Sequence, residues 1–71
     1  RRPKNIAESR QVAMYLTRTM TKLPLIQIGE EFGGRDHGTV IHACKVITNQ
    51  IQNSQDFRRM VDNLGSKIRE S

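Results

Sequence analysis

The sequence predicts an all-α fold: a small helical bundle containing a helix-turn-helix, formed by its second and third helices and preceded by a basic arm. Three observations predict it. Four segments carry apolar residues at the three- and four-residue spacing of amphipathic helices. Residues suited to capping (Asn5, Asp36, Ser54) stand ahead of three of those segments. Between two of them, FGGRDHGTVIHAC (Phe32 to Cys44) supplies two glycines and an acidic cap, which reads as helix, tight turn, helix.

The elements follow in order. Residues 1–4 (Arg, Arg, Pro, Lys) are expected to be an extended arm, because Pro3 disfavours helical backbone at Arg2. A first helix is expected after Asn5, with Asn5 as N-cap and Glu8 in a capping-box relation. Ile6, Ala13, Leu16 and Met20 lie near one face of it, Val12 and Tyr15 at its edges, and it should stop near Thr21 or Lys22. A short second helix, carrying Ile26, Ile28 and Phe32, runs from about Pro24 to Phe32. Pro24 suits a first turn, where its missing N–H is not needed, and no capping residue immediately precedes it. Gly33 and Gly34 end this helix and permit positive φ at the turn.

The third helix is expected from about His37 to Gln52, with Asp36 at the N-cap, where dipole and free N–H groups favour an acidic side chain. Val40, Cys44, Ile47 and Ile51 share one face, while His42, Lys45 and Asn49 point away. Ser54 then caps a fourth helix whose stripe is Phe57, Met60, Val61, Leu64 and Ile68. Gly65 lies inside that helix at a cost of about 1 kcal/mol relative to Ala. Cys44, Met14, Met20 and Met60 read as core or core-edge fillers.

At 71 residues the chain is near the size where a single core is barely sufficient. Its 17 Leu, Ile, Val and Phe residues exceed the share below which disorder is the better reading. No apolar run reaches membrane-spanning length, and there is no signal-peptide pattern. The single Cys44 cannot form an internal disulfide, as expected of a cytosolic protein. A start on Arg1 rather than Met suggests a fragment of something longer. The net charge of +5 is uneven: residues 1–22 hold six Lys and Arg against Glu8 alone. A basic arm on a helical domain is an electrostatic footprint for nucleic acid, although a solvated surface would look the same by charge alone. The arm has no large apolar face for a membrane.

Catalysis finds little support. Gly33 and Gly34 lack the Lys-Ser/Thr that completes a phosphate-binding loop. His37 and His42 are five apart and Cys44 projects from the face opposite His42, so the three cannot converge on one metal. Glu30 and Glu31 splay to different sides of a helix. No enzyme activity, metal or cofactor is expected of this chain.

DNA binding has a physical case. A helix entering the major groove end-on presents its first turn to base edges. There His37 can donate or accept, Asp36 can accept from cytosine N4, and Thr39 can offer its hydroxyl or methyl. Arg35, Arg18, Lys22 and Lys45 could straddle the groove and hold phosphates. Arg1 and Arg2 can follow the backbone into the neighbouring minor groove. Each residue also has a plainer use: Asp36 can simply cap, His37 can pack, and Thr39 can bond backward within its turn.

At these residues the chain resembles the C-terminal DNA-binding domain (domain IV) of the bacterial chromosomal replication initiator family, the DnaA proteins. RQVAMYLTR (Arg10 to Arg18) looks like the family's first conserved helix, and IGEEFGGRDHGTVIHAC (Ile28 to Cys44) like its signature helix-turn-helix. The resemblance implies recognition of short, asymmetric duplex boxes clustered at the replication origin by one protein per box. It implies base contacts or their support from Arg2, Arg10, Asp36, His37 and Thr39, with Arg2 in the minor groove. Backbone contacts are expected from Arg1, Gln11, Arg18, Lys22, Arg35 and Lys45. It also implies an upstream AAA+ ATPase using ATP and magnesium in a longer, oligomerising protein of the bacterial cytoplasm and nucleoid. In that frame residues 1–4 are the arm and 5–71 the domain.

Two positions depart from the family. It usually has Thr or Ser where this chain has Gly38, so the box should be read less stringently there or a different base preferred. Pro24 replaces a helix-capping residue. Two other readings remain: a helix-turn-helix transcriptional regulator fragment, which would ordinarily need a dimer and palindromic half-sites, and a helical protein-interaction module docking through Arg35 to Thr39.

Overall fold

The computed structural model describes residues 6–70, which form four helices: α1 (Ile6–Met20), α2 (Leu25–Glu31), α3 (His37–Asn53) and α4 (Gln55–Glu70). The expected cap at Asn5 and the arm at residues 1–4 lie outside the described residues. α1 ends in a run of threonines whose hydroxyls bond back to the preceding turn. Thr17 Oγ1 donates to the Ala13 carbonyl at 2.8 Å, and Thr21 Oγ1 to the Thr17 carbonyl at 2.6 Å. Thr21 Oγ1 also accepts the Leu23 N–H at 3.3 Å, so the chain leaves the helix one residue after Met20.

α3 is the axis of the molecule, and two apolar clusters form along it. Its first half joins α1 and α2 through Met14, Ile28, Val40 and Ala43, with Leu25, Phe32 and Cys44 partly buried around them. Its second half joins α1 and α4 through Val12, Leu16, Ile47, Phe57, Met60 and Val61. Among the described residues α2 and α4 do not meet; α1 and α3 separate them. The hydrophobic effect therefore holds each flanking helix to the same central pair through a different stripe of it.

This two-sided burial corrects the expectation for α1. Met14 and Leu16 are both buried although they lie 200° apart on the wheel, because one faces α2 and the other α4. Val12, expected at an edge, is 3% exposed, whereas Ile6 sits ahead of the packed region at 78%. In α2 the stripe is Leu25, Ile28 and Phe32, so Ile26 points outward. In α4 the packed stripe ends at Gly65, which leaves Ile68 exposed. The α4 cap is as expected: Ser54 Oγ accepts the Phe57 N–H at 3.1 Å. No described helix is long and apolar enough to cross a membrane.

Candidate nucleic-acid interface

The turn between α2 and α3 is made by backbone chemistry. Pro24 is the N-cap of α2 in extended conformation, with no side-chain cap bond, and its carbonyl accepts the Ile28 N–H at 3.0 Å. At the other end the Gly33 and Gly34 N–H groups both reach the Glu30 carbonyl at 3.3 Å. These glycines have φ of 90° and 78°, the left-handed region that side-chain-bearing residues avoid. The chain then doubles back, and the Arg35 N–H donates to the Gly29 carbonyl at 2.9 Å.

That approach explains a residue the sequence reading passed over. Gly29 is buried within α2, and a Cβ built there would overlap the Arg35 carbonyl oxygen and lie 3.0 Å from its carbon. The turn can press against α2 only because position 29 has no side chain. A lone glycine inside a short helical pattern does not reveal this; the only signal was that it stood where a better helix former could have stood.

α3 starts at a firm cap. Asp36 is extended (φ −77°, ψ 168°), and its Oδ1 accepts the Thr39 N–H at 2.8 Å and the Thr39 hydroxyl at 3.0 Å. The Thr39 N–H, then its hydroxyl, hold the Asp36 carboxyl below its ordinary value of 3.8 against an opposing desolvation; His37 and the Gly38 N–H add smaller contributions in the lowering direction. Because folding lowers this pKa, the ionised cap stabilises the fold above pH 3.8. That contribution is lost as pH falls through the lower folded value.

Arg35, Asp36, His37, Gly38 and Thr39 are all exposed, and the next residue, Val40, is fully buried. The front of α3 thus protrudes as a polar tip while the following turn anchors it. His37 is exposed rather than buried in the core.

The candidate contact residues outside the tip lie on α1, on α3 and in the link between α1 and α2. Arg18, in the last turn of α1, and Lys45 of α3 line one shallow cavity of about 390 Å³ with Leu25, Ile41, Cys44 and Thr48. α1 and α3 bring these two cations together across the molecule, and polar Asn49 and Gln52, which sequence reasoning had not singled out, extend the same lining. Lys45 stands about 12 Å along the α3 axis from the polar tip. Arg10 and Gln11 are half-buried on α1, with Arg10 about 12 Å before Arg18, and Lys22 is exposed in the link to α2. Arg1 and Arg2 lie outside the described residues. Cys44 is a core-edge filler: burial pushes its thiol up, with Arg18 partly opposing.

Two helices joined by a glycine turn, the second capped by an acid and presenting an exposed polar first turn, define a helix-turn-helix domain. Residues 1–47 match the family described as "Bacterial dnaA protein helix-turn-helix". Over 69 residues the chain is 46% identical to the chromosomal replication initiator protein DnaA of Bifidobacterium animalis subsp. lactis (strain AD011). That alignment covers 97% of this chain and 12% of the relative's length. The chain belongs to the DnaA helix-turn-helix family.

Proposed function

We propose that this domain binds double-stranded DNA sequence-specifically, at DnaA-type boxes of the kind clustered at a chromosomal replication origin. The observation that carries the reading is the exposed Arg35 to Thr39 tip at the capped start of α3, an arrangement suited to base edges in the major groove. In this reading Asp36 and His37 address bases, with Thr39 beside them and Arg10 in support. Arg35, Arg18, Lys45, Lys22 and Gln11 hold the phosphates that set register. Arg1 and Arg2 extend into the adjacent minor groove, Arg2 reading bases there. One domain occupies one asymmetric box, and it works without catalysis or a cofactor of its own, within a longer initiator acting on the nucleoid in the cytoplasm.

The test is fluorescence anisotropy of this domain on a duplex carrying one DnaA-type box and on a scrambled duplex, at one fixed salt concentration. Salt is held constant because counterion release makes affinity steeply salt-dependent. A preference approaching ~10³-fold, at one protein per duplex, is the expected result. Equal binding to both duplexes would reject box recognition and favour the protein-interaction reading. Two proteins per palindromic site would favour the transcriptional regulator instead.

A further inference from the structure

We propose that Thr39 is a positioning residue for base reading: its hydroxyl and its backbone N–H together clamp one carboxylate oxygen of Asp36, so that the other oxygen is presented to a base amine. The inference rests on the DNA-binding reading above and assigns Thr39 a role different from a contact with DNA.

The argument starts from proton counting. A threonine hydroxyl has one proton, and here it lies toward Asp36 Oδ1 at 3.0 Å. Thr39 therefore has only lone pairs and a methyl group to offer outward. A phosphate oxygen accepts and does not donate, so Thr39 cannot bond a phosphate while it holds Asp36. The Thr39 N–H reaches the same oxygen at 2.8 Å. Both bonds fall on Oδ1, and Oδ2 takes part in neither.

Two donors from one residue fix more than one donor could. The N–H bond is the ordinary helix cap and would form for any residue at position 39 other than proline. The hydroxyl bond is particular to Thr or Ser, and it restrains rotation of the carboxylate about its last torsion, which is otherwise broad. Asp36 and Thr39 are both exposed, so no packing would hold that torsion in place of the bond. Gly38, between them, brings no side chain; its N–H also acts on the carboxylate, and that contribution is the same in every Thr39 variant. An acceptor held at one orientation discriminates a base amine better than one that samples several, because the ordering is done before binding.

The experiment measures affinity of the wild type, Asp36→Ala, Thr39→Val and Thr39→Ser on a set of duplexes, each with one base pair of the box changed, at fixed salt. Asp36→Ala identifies the pair that Asp36 reads by abolishing preference there. Thr39→Val keeps the shape and removes the hydroxyl; it is expected to lower preference at that same pair by roughly tenfold, leaving other pairs and scrambled DNA unaffected. Thr39→Ser keeps the hydroxyl and is expected to retain the preference. Circular dichroism of each variant checks that α3 is intact. Equal loss by Thr39→Val on every duplex would assign Thr39 a structural or phosphate-holding role and overturn the clamp. So would full preference at the Asp36 pair in Thr39→Val. A wild type that does not distinguish box from scrambled DNA rejects the box-reading function itself, and the clamp with it.

Discussion

Gly29 and Gly65 are both buried within helices, and both sit where another segment passes close, yet their surroundings differ in kind. At Gly29 a Cβ would meet backbone, the Arg35 carbonyl, which the turn holds rigidly. At Gly65 it would meet side chains, Leu16 Cδ2 at 3.5 Å and Met20 Sδ at 3.7 Å, both ordinary contact distances. The same contrast divides the molecule. Around α2 and the front of α3, geometry is set by backbone approaching backbone, by two positive-φ glycines and by the Asp36 cap. Around α1, α4 and the rear of α3, it is set by the volume of Leu16, Ile47, Phe57 and their neighbours. Side-chain packing yields to small changes by shifting rotamers, especially at methionine, whereas a backbone contact yields only by moving the segment. The half that holds the turn and the polar tip of α3 is thus the less forgiving one.

The largest expected effect breaks that half. Gly29→Ala should destabilise the domain by about 1–3 kcal/mol, since the added methyl displaces the turn that carries Arg35 and Asp36. Urea denaturation followed by circular dichroism measures it, and box binding should fall with it. A neutral result would mean that the Arg35 carbonyl does not constrain position 29.

The opposite sign is expected at the other glycine. Gly65→Ala should stabilise by up to about 1 kcal/mol, because the methyl fits against Leu16 and Met20 while a helix-interior glycine is replaced. Box affinity should not change. If the same denaturation assay found Gly65→Ala as damaging as Gly29→Ala, the distinction between backbone-set and volume-set halves would collapse.

The two halves were also unequally legible in the sequence. Gly33, Gly34, Asp36 and Ser54 could be read because caps and positive-φ turns depend on residues adjacent in the chain. Most of the buried stripes of α3 and α4 followed from periodicity; the exceptions are Ala43, buried beside Val40 where Cys44 was expected and is only partly covered, and Ile68, which lies past the last packed turn. Periodicity failed on α1, where two partners bury two faces and a single-face wheel displaces Val12 to an edge. It failed at Ile26 because α2 is too short for its phase to be fixed by its own pattern. Of the site, the Arg35 to Thr39 tip was readable as one contiguous stretch. The pairing of Arg18 with Lys45 around one cavity depends on how α1 crosses α3, which no local pattern encodes.

The smallest effect tests whether the front of α3 is less forgiving in every residue or only where backbone is crowded. Gly38 lies in that half but no backbone crowds it: the one atom a Cβ would approach is Asp36 Oδ1, at a contact distance of 3.4 Å. Gly38→Ala should therefore behave like Gly65→Ala on a smaller scale, stabilising by about 0.5 kcal/mol because the position is in the first turn. Gly38→Thr adds a methyl and a hydroxyl to the surface proposed to face bases. It should raise preference at one box position by less than about tenfold, the low end of what a single base contact supplies. Anisotropy on the set of singly substituted boxes measures this, with Gly38→Ala as the control for helix order. Unchanged preference in Gly38→Thr would remove position 38 from base reading. Equal gains from Ala and Thr would trace the effect to a better-ordered first turn. A gain from Thr alone would assign it to the side chain's own contact, and would show that this half is strict in its backbone and adjustable at its tip.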